Sequence, residues 1–109
     1  MTSEMNCLAS GGGCQHTSGT LTNTSQTPTI DTGINDVDLF YSYVKISNTW
    51  EVWNIYRKDE TNKIFVVRTD TTTTPYYSNL ITVSGSNVTI NTTTSATGLT
   101  IVWEAFKWS

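Results

Sequence analysis

Charged residues, histidine and helix-forming residues are all scarce in this sequence. Charged side chains make up 14% of the 109 positions, there is a single His, and Ala and Leu together contribute eight residues. A coiled coil or helical bundle is rich in Ala, Leu, Glu and Lys, so the composition argues against one. No apolar run approaches the ~20 residues that a membrane-spanning helix needs, which predicts no membrane insertion.

Basic residues are also few. Six Lys and Arg stand against nine Asp and Glu, which gives a net charge of −3. A protein that binds nucleic acid without sequence preference needs a basic surface to displace counterions from the phosphates. The charge balance therefore predicts no nucleic-acid partner.

Thr, Ser, Asn and aromatic residues are abundant instead. The chain has 22 Thr, 11 Ser, 9 Asn, four Trp, five Tyr and three Phe. Thr and aromatic residues favour extended backbone, and Ser, Asn and Gly favour turns. We therefore predict an all-β protein: an antiparallel β-sandwich of about seven to eight short strands over residues 17–109, preceded by a flexible N-terminal arm over residues 1–16. The arm orders against a partner or is a disordered tail; the sequence leaves both open.

Alternation of side chains and turn residues sets the expected strands. They cover residues 17–23, 27–31, 37–46, 50–56, 64–70, 80–83, 87–91 and 99–106. The third of these is apolar on both faces, which predicts a central strand. Residues 71–79 combine four Thr with Pro75 and two aromatic residues, and we expect a surface loop there.

The two cysteines, Cys7 and Cys14, lie in the predicted arm with His16 close behind. A disulfide is possible for two cysteines in a short chain. Cys7, Cys14 and His16 also contain three zinc-ligand types, but the spacing matches no CxxC pair and a fourth ligand would have to come from elsewhere. We expect free thiols, no metal and no cofactor.

Residues suited to catalysis are few. A Ser-His-Asp or Cys-His site needs an imidazole held in a rigid frame, whereas His16 follows a glycine-rich segment. Asp36 and Asp38 are two apart at a strand edge and could face the same side, as a glycosidase pair does, but aspartates at such positions more often belong to turns. We therefore expect a protein that is not an enzyme.

Aromatic residues are the best candidates for a binding site. Trp50 and Trp53 are three apart, so a regular strand cannot point both of them into the core. Tyr76 and Tyr77 fall on the predicted loop, where binding residues concentrate. Exposed Trp and Tyr stack on sugar rings, so Trp50, Trp53, Tyr76 and Tyr77 are candidate ligand-binding residues. The alternative for any one Trp is packing in the core or in a subunit interface.

Several segments together resemble small β-sandwich structural proteins of tailed phages and prophages. The first are TIDTGI at 29–34 and the apolar strand at 37–46; the last are LITVSGSNVTI at 80–90 and LTIVWEAF at 99–106. The resemblance covers residues 20–108 and carries over no catalytic residues. It implies a virion component of a tail fibre, baseplate or capsid surface. The related H-type lectin sandwich would imply sugar binding, although the extra N-terminal arm departs from that pattern.

The function that follows is a non-enzymatic virion structural protein that self-assembles and contributes to surface attachment. We expect a homotrimer or higher homo-oligomer, with other virion proteins as partners and host-surface glycans as a further candidate partner. The start of the chain has no apolar segment of a secretory signal, which predicts synthesis in the host cytoplasm. The resemblance implies a final place in the virion. The alternative is a carbohydrate-binding module that uses exposed aromatic residues.

Overall fold

The computed structural model describes residues 15–48, 50–58, 63–68, 74–77 and 81–108, with the backbone alone for 63–68 and 74–77. Every regular element within these ranges is a strand. The strands are β1 (Gln15–Thr22), β2 (Thr29–Asp31), β3 (Leu39–Ser47), β4 (Trp50–Arg57), β5 (Lys63–Arg68), β6 (Thr74–Tyr77), β7 (Thr82–Ser84), β8 (Asn87–Thr89) and β9 (Thr100–Lys107).

Two antiparallel sheets form a sandwich, which confirms the predicted fold class. The large sheet has the order β1-β9-β3-β4-β5-β6, and the small sheet has the order β2-β8-β7. Strand β3 lies between β9 and β4, as its two apolar faces predicted. The hairpin β7–β8 turns at Gly85, whose φ of 60° is in the region that suits glycine.

The core lies between the two sheets and is mostly aliphatic. Alternation along β3, β4 and β9 sends every second side chain inward, and Phe106 of β9 is buried as well, beneath the outward face. The small sheet closes the other side with Ile30 and Val88. The fully or almost fully buried core comprises Ile30, Ile34, Val37, Phe40, Val44, Val52, Ile81, Val88, Ile90, Ile101, Trp103 and Ala105.

Two buried asparagines hold the loop between β8 and β9. The Asn23 side chain accepts a hydrogen bond from Leu99 N at 2.7 Å and donates one to Ala96 O at 2.9 Å. The Asn54 side chain donates to Asn91 O at 2.9 Å and accepts from Asn91 N at 3.0 Å. Buried backbone N–H and C=O groups need hydrogen-bond partners, and no neighbouring strand supplies them to this loop. The two side-chain amides supply them instead and so fix the conformation of the loop.

The observed strands differ from the expected ones in two places that matter for the site. Thr74–Tyr77 forms strand β6 where we expected a loop, so Tyr76 and Tyr77 lie in the sheet. Pro75 misled the prediction, yet β6 is an edge strand, where proline is tolerated. Strand β1 begins at Gln15, so His16, which we assigned to the arm, is part of the large sheet. The rest of the predicted arm, with Cys7 and Cys14, lies outside the described residues.

Candidate functional site

The outward face of the large sheet carries a row of stacked rings, which we call the aromatic row: His16, Phe106, Tyr41, Trp53 and Tyr43. Neighbouring ring centroids along the row are 4.5, 6.4, 6.2 and 4.8 Å apart, with interplanar angles of 15–25°. The register produces the row, because His16 lies opposite Phe106 and Tyr43 opposite Trp53 on paired strands. The row therefore crosses four adjacent strands, β1, β9, β3 and β4.

A hydrogen-bonded acid lies beside the aromatic row. One carboxylate oxygen of Glu104 accepts a hydrogen bond from the Tyr41 hydroxyl, and the other lies 2.9 Å from His16 Nε2. The hydrogen bond from Tyr41 lowers the pKa of Glu104 below its ordinary value of 4.5, and the hydrogen bond with His16 lowers it further against the opposing effect of partial burial. Glu104 is thus a carboxylate at neutral pH, with 31% of its side chain exposed.

The two candidate tryptophans of β4 lie on opposite faces. Trp50 is partly buried and packs against the core between the sheets. Trp53 belongs to the aromatic row, and its indole Nε1 donates a 2.8 Å hydrogen bond to Glu51 Oε1. Since the indole nitrogen is already bonded, the ring is held in a fixed orientation at the face.

The other two candidates, Tyr76 and Tyr77, are known by their backbone register. Tyr76 lies opposite Ile64 and Tyr77 opposite Lys63 on β5. Strand β5 pairs in turn with β4, so both tyrosines lie two strands away from Trp53 in the same sheet. The structure therefore places all four predicted binding residues in the large sheet, and it brings Trp53 together with Tyr41 and Tyr43.

Tyr41, Tyr43 and Glu104 were not among the predicted site residues. Alternation was the available signal, because Tyr41 and Tyr43 interleave with the buried Phe40 and Val44 and so must face outward. For Glu104 the signal was an acid within an apolar strand. What the sequence could not supply was the register that places β1, β9 and β3 side by side.

The aspartate pair considered for catalysis has other contacts. Asp36 Oδ2 forms a 2.7 Å ion pair with Lys58 Nζ, and this hydrogen bond and charge lower the pKa of Asp36. Asp38 is 6% exposed, and its Oδ2 accepts a 2.8 Å hydrogen bond from Trp108 N. These contacts fasten the turn before β3 to the ends of β4 and β9.

The described residues show neither a metal cluster nor a membrane-spanning helix. Among the described residues, no three His, Cys, Asp or Glu side chains group as a metal-binding cluster would. The same residues contain no helix that could cross a bilayer. No family model matches the chain, and neither the curated proteins nor the solved structures include a match.

Proposed function

We propose that this chain is a non-enzymatic structural and attachment domain whose copies self-assemble and whose large sheet contacts a surface through the aromatic row. The aromatic row is the observation that carries the proposal. Rings turned away from the core add nothing to the packing between the sheets, but they suit an interface. The buried centres of protein interfaces are enriched in Tyr and Trp. A small number of such residues contributes most of the binding free energy.

The contacts around Glu104 and Glu51 support the same use of the face. Both carboxylates are hydrogen-bonded to side chains of the aromatic row, so the rings are held before any partner arrives. Groups that are already ordered lose less conformational freedom on binding than free ones do. The face is therefore suited to recognition without rearrangement.

The assignment to a tailed-phage or prophage virion rests on the resemblance of residues 20–108. Under this proposal the chain forms a homotrimer or larger homo-oligomer, is made in the host cytoplasm, and joins other virion proteins. The test is the solution mass by light scattering on a size-exclusion column, with and without reductant. We expect a discrete oligomer; a monomer at high micromolar concentration contradicts self-assembly.

A stand-alone carbohydrate-binding module is the second candidate, and the pairing of rings with polar groups favours it. Sugar C–H groups pack on aromatic rings, and sugar hydroxyls bond to groups such as the Glu104 carboxylate and the His16 imidazole. Tryptophan fluorescence should then shift when bacterial cell-wall polysaccharide is added. Trp53→Ala should abolish the shift, and no shift across a broad glycan panel excludes this candidate.

A further inference from the structure

We infer that strand β1 is a self-association edge, along which two copies of this chain pair antiparallel and join their large sheets into one. This inference rests on the proposed self-assembly and specifies its surface and its partner. Strand β1 is the last strand on one side of the large sheet and pairs with β9 alone among the described strands. An edge strand presents backbone N–H and C=O groups that can pair with another chain.

The four sheet edges differ in how they discourage pairing. Strands β2 and β7, at the edges of the small sheet, have three residues each, and β2 follows Pro28 and contains Asp31. Strand β6, the other edge of the large sheet, contains Pro75. Strand β1 is eight residues long and has no Pro, Lys, Arg, Asp or Glu. Short strands, proline and charge are the usual protections of an edge, and β1 has none of them.

The ladder determines which groups of β1 point outward. Asn23 N donates to Leu99 O at 3.0 Å, in the register that pairs Thr22 with Thr100. Bonded and non-bonded pairs alternate in an antiparallel ladder, so the odd-numbered residues of β1 bond to β9. The backbone N–H and C=O groups of Ser18 and Thr20 therefore lie in the plane of the sheet and point away from β9, toward the open edge.

These groups restrict the pairing between copies. Only even-numbered residues of β1 have backbone groups free of β9, so each hydrogen-bonded pair between two copies must join two even-numbered residues. A twofold axis at Gly19 meets this condition, because it places Ser18 of one copy opposite Thr20 of the other. Opposite residues in an antiparallel pair share a face, so Ser and Thr hydroxyls meet on the outward face. A Thr–Thr contact of this kind already exists in the small sheet, where the hydroxyls of Thr29 and Thr89 lie 2.9 Å apart.

The occupant of the edge is a second copy because β1 is complementary to itself. Two uncharged strands do not repel one another, and the Ser18–Thr20 pairing is the same in both directions. The axis runs perpendicular to the sheet, so the two aromatic rows face the same side. Two linked rows would bind a repetitive surface with higher avidity than one row does. A contact of this symmetry joins copies in pairs, so among the proposed homo-oligomers it selects an assembly with an even number of chains, such as a tetramer or hexamer, and excludes the trimer.

The test compares solution masses of edge variants and a control. Ser18→Lys places a charge on the edge strand, and Thr20→Pro removes an outward N–H without removing a bond to β9. Thr100→Lys is the control, because it makes the same charge change at an exposed position of β9, which lies between β1 and β3 and is not an edge strand. We expect an even-numbered oligomer for the native chain and for Thr100→Lys. For the edge variants, association should weaken about tenfold or more, with circular dichroism and melting unchanged.

The outcomes separate this inference from the proposed function. If the native chain is an oligomer and both folded edge variants keep its mass, the β1 edge is not the contact, although self-assembly stands. An oligomer with an odd number of chains also overturns the edge pairing. If the native chain is a monomer at high micromolar concentration, self-assembly itself is wrong.

Discussion

The two faces of the large sheet come from the same strands but differ in chemistry. The inward face is packed with aliphatic side chains, and residues such as Phe40, Val52 and Ala105 are fully buried. The outward face has four partly buried rings around the buried ring of Phe106, together with a carboxylate that is bonded to a phenol and an imidazole. The strand period of two is enough to produce both faces from one segment.

The inward face mainly stabilises the fold, and the outward face is available for recognition. A side chain between the sheets contributes its full burial to folding, at roughly 1.5–3 kcal/mol for a large apolar residue. A half-buried ring contributes less and keeps surface for a partner. The comparison therefore predicts that variants of neighbouring residues in one strand should have very different effects.

The largest contrast is expected between Phe40→Ala and Tyr43→Ala in β3. Phe40 is fully buried, and its loss should reduce the free energy of unfolding by about 4 kcal/mol. Tyr43 loses a stacking contact with Trp53 and partial burial, about 1 kcal/mol. Urea unfolding measures both values. Equal losses would contradict the division between the faces.

The buried polar contacts of the inward face should matter almost as much as its aliphatic core. Asn54→Ala leaves the buried backbone N–H and C=O of Asn91 without their partner, which should cost about 2–3 kcal/mol. Asn87→Ala, at an exposed position of β8, is the control and should change stability by less than about 0.5 kcal/mol. Thermal denaturation of the two variants decides the matter, and a neutral Asn54→Ala would show that the loop holds itself.

Gly19→Ala tests how tightly the inward face is packed at strand β1. An added Cβ would lie 2.9 Å from Cζ2 of Trp103, so the indole must shift. We expect Gly19→Ala to cost about 1–2 kcal/mol through overpacking. Near-ultraviolet circular dichroism should change with it, since the ring moves. An unchanged spectrum and stability would mean that the indole has room.

A small stability effect that depends on pH is expected at Glu104 on the outward face. Its pKa is lowered in the folded state, so it stabilises the fold above about pH 4.5, and this contribution is lost as pH falls through the folded pKa. Glu104→Gln should cost about 1 kcal/mol at neutral pH and progressively less in acid. Unfolding curves measured from neutral to acid pH test this. If the free energies of unfolding of the native protein and Glu104→Gln fall in parallel with pH, this prediction is refuted. Tyr41→Phe removes the hydrogen bond to Glu104 and should therefore raise the Glu104 pKa.

The fold followed from the sequence because the strongest signals were local. Alternation predicted a central strand at 37–46 and a closing strand at 99–106, and both are confirmed. Strand β6 was missed because Pro75 and the Thr run are also typical of loops. Its pairing with β5 depends on tertiary context that composition does not carry.

The candidate site was less predictable than the fold. Trp50 and Trp53 were both candidates because a regular strand cannot point both of them into the core, and the structure places Trp50 against the core and Trp53 on the outward face. The partners of Trp53 in the aromatic row come from β3, β9 and β1, which are distant in sequence. Register across four strands joins them, and register depends on the whole fold.

The most direct test of the account compares Trp50→Ala with Trp53→Ala, which remove the same side chain from opposite faces of β4. Melting temperature and adsorption to purified bacterial cell-wall polysaccharide would be measured for both. The account predicts that Trp50→Ala lowers the melting temperature and leaves adsorption by the folded protein intact, whereas Trp53→Ala abolishes adsorption and lowers the melting temperature less than Trp50→Ala does. Full adsorption by Trp53→Ala would contradict the assignment of recognition to the outward face.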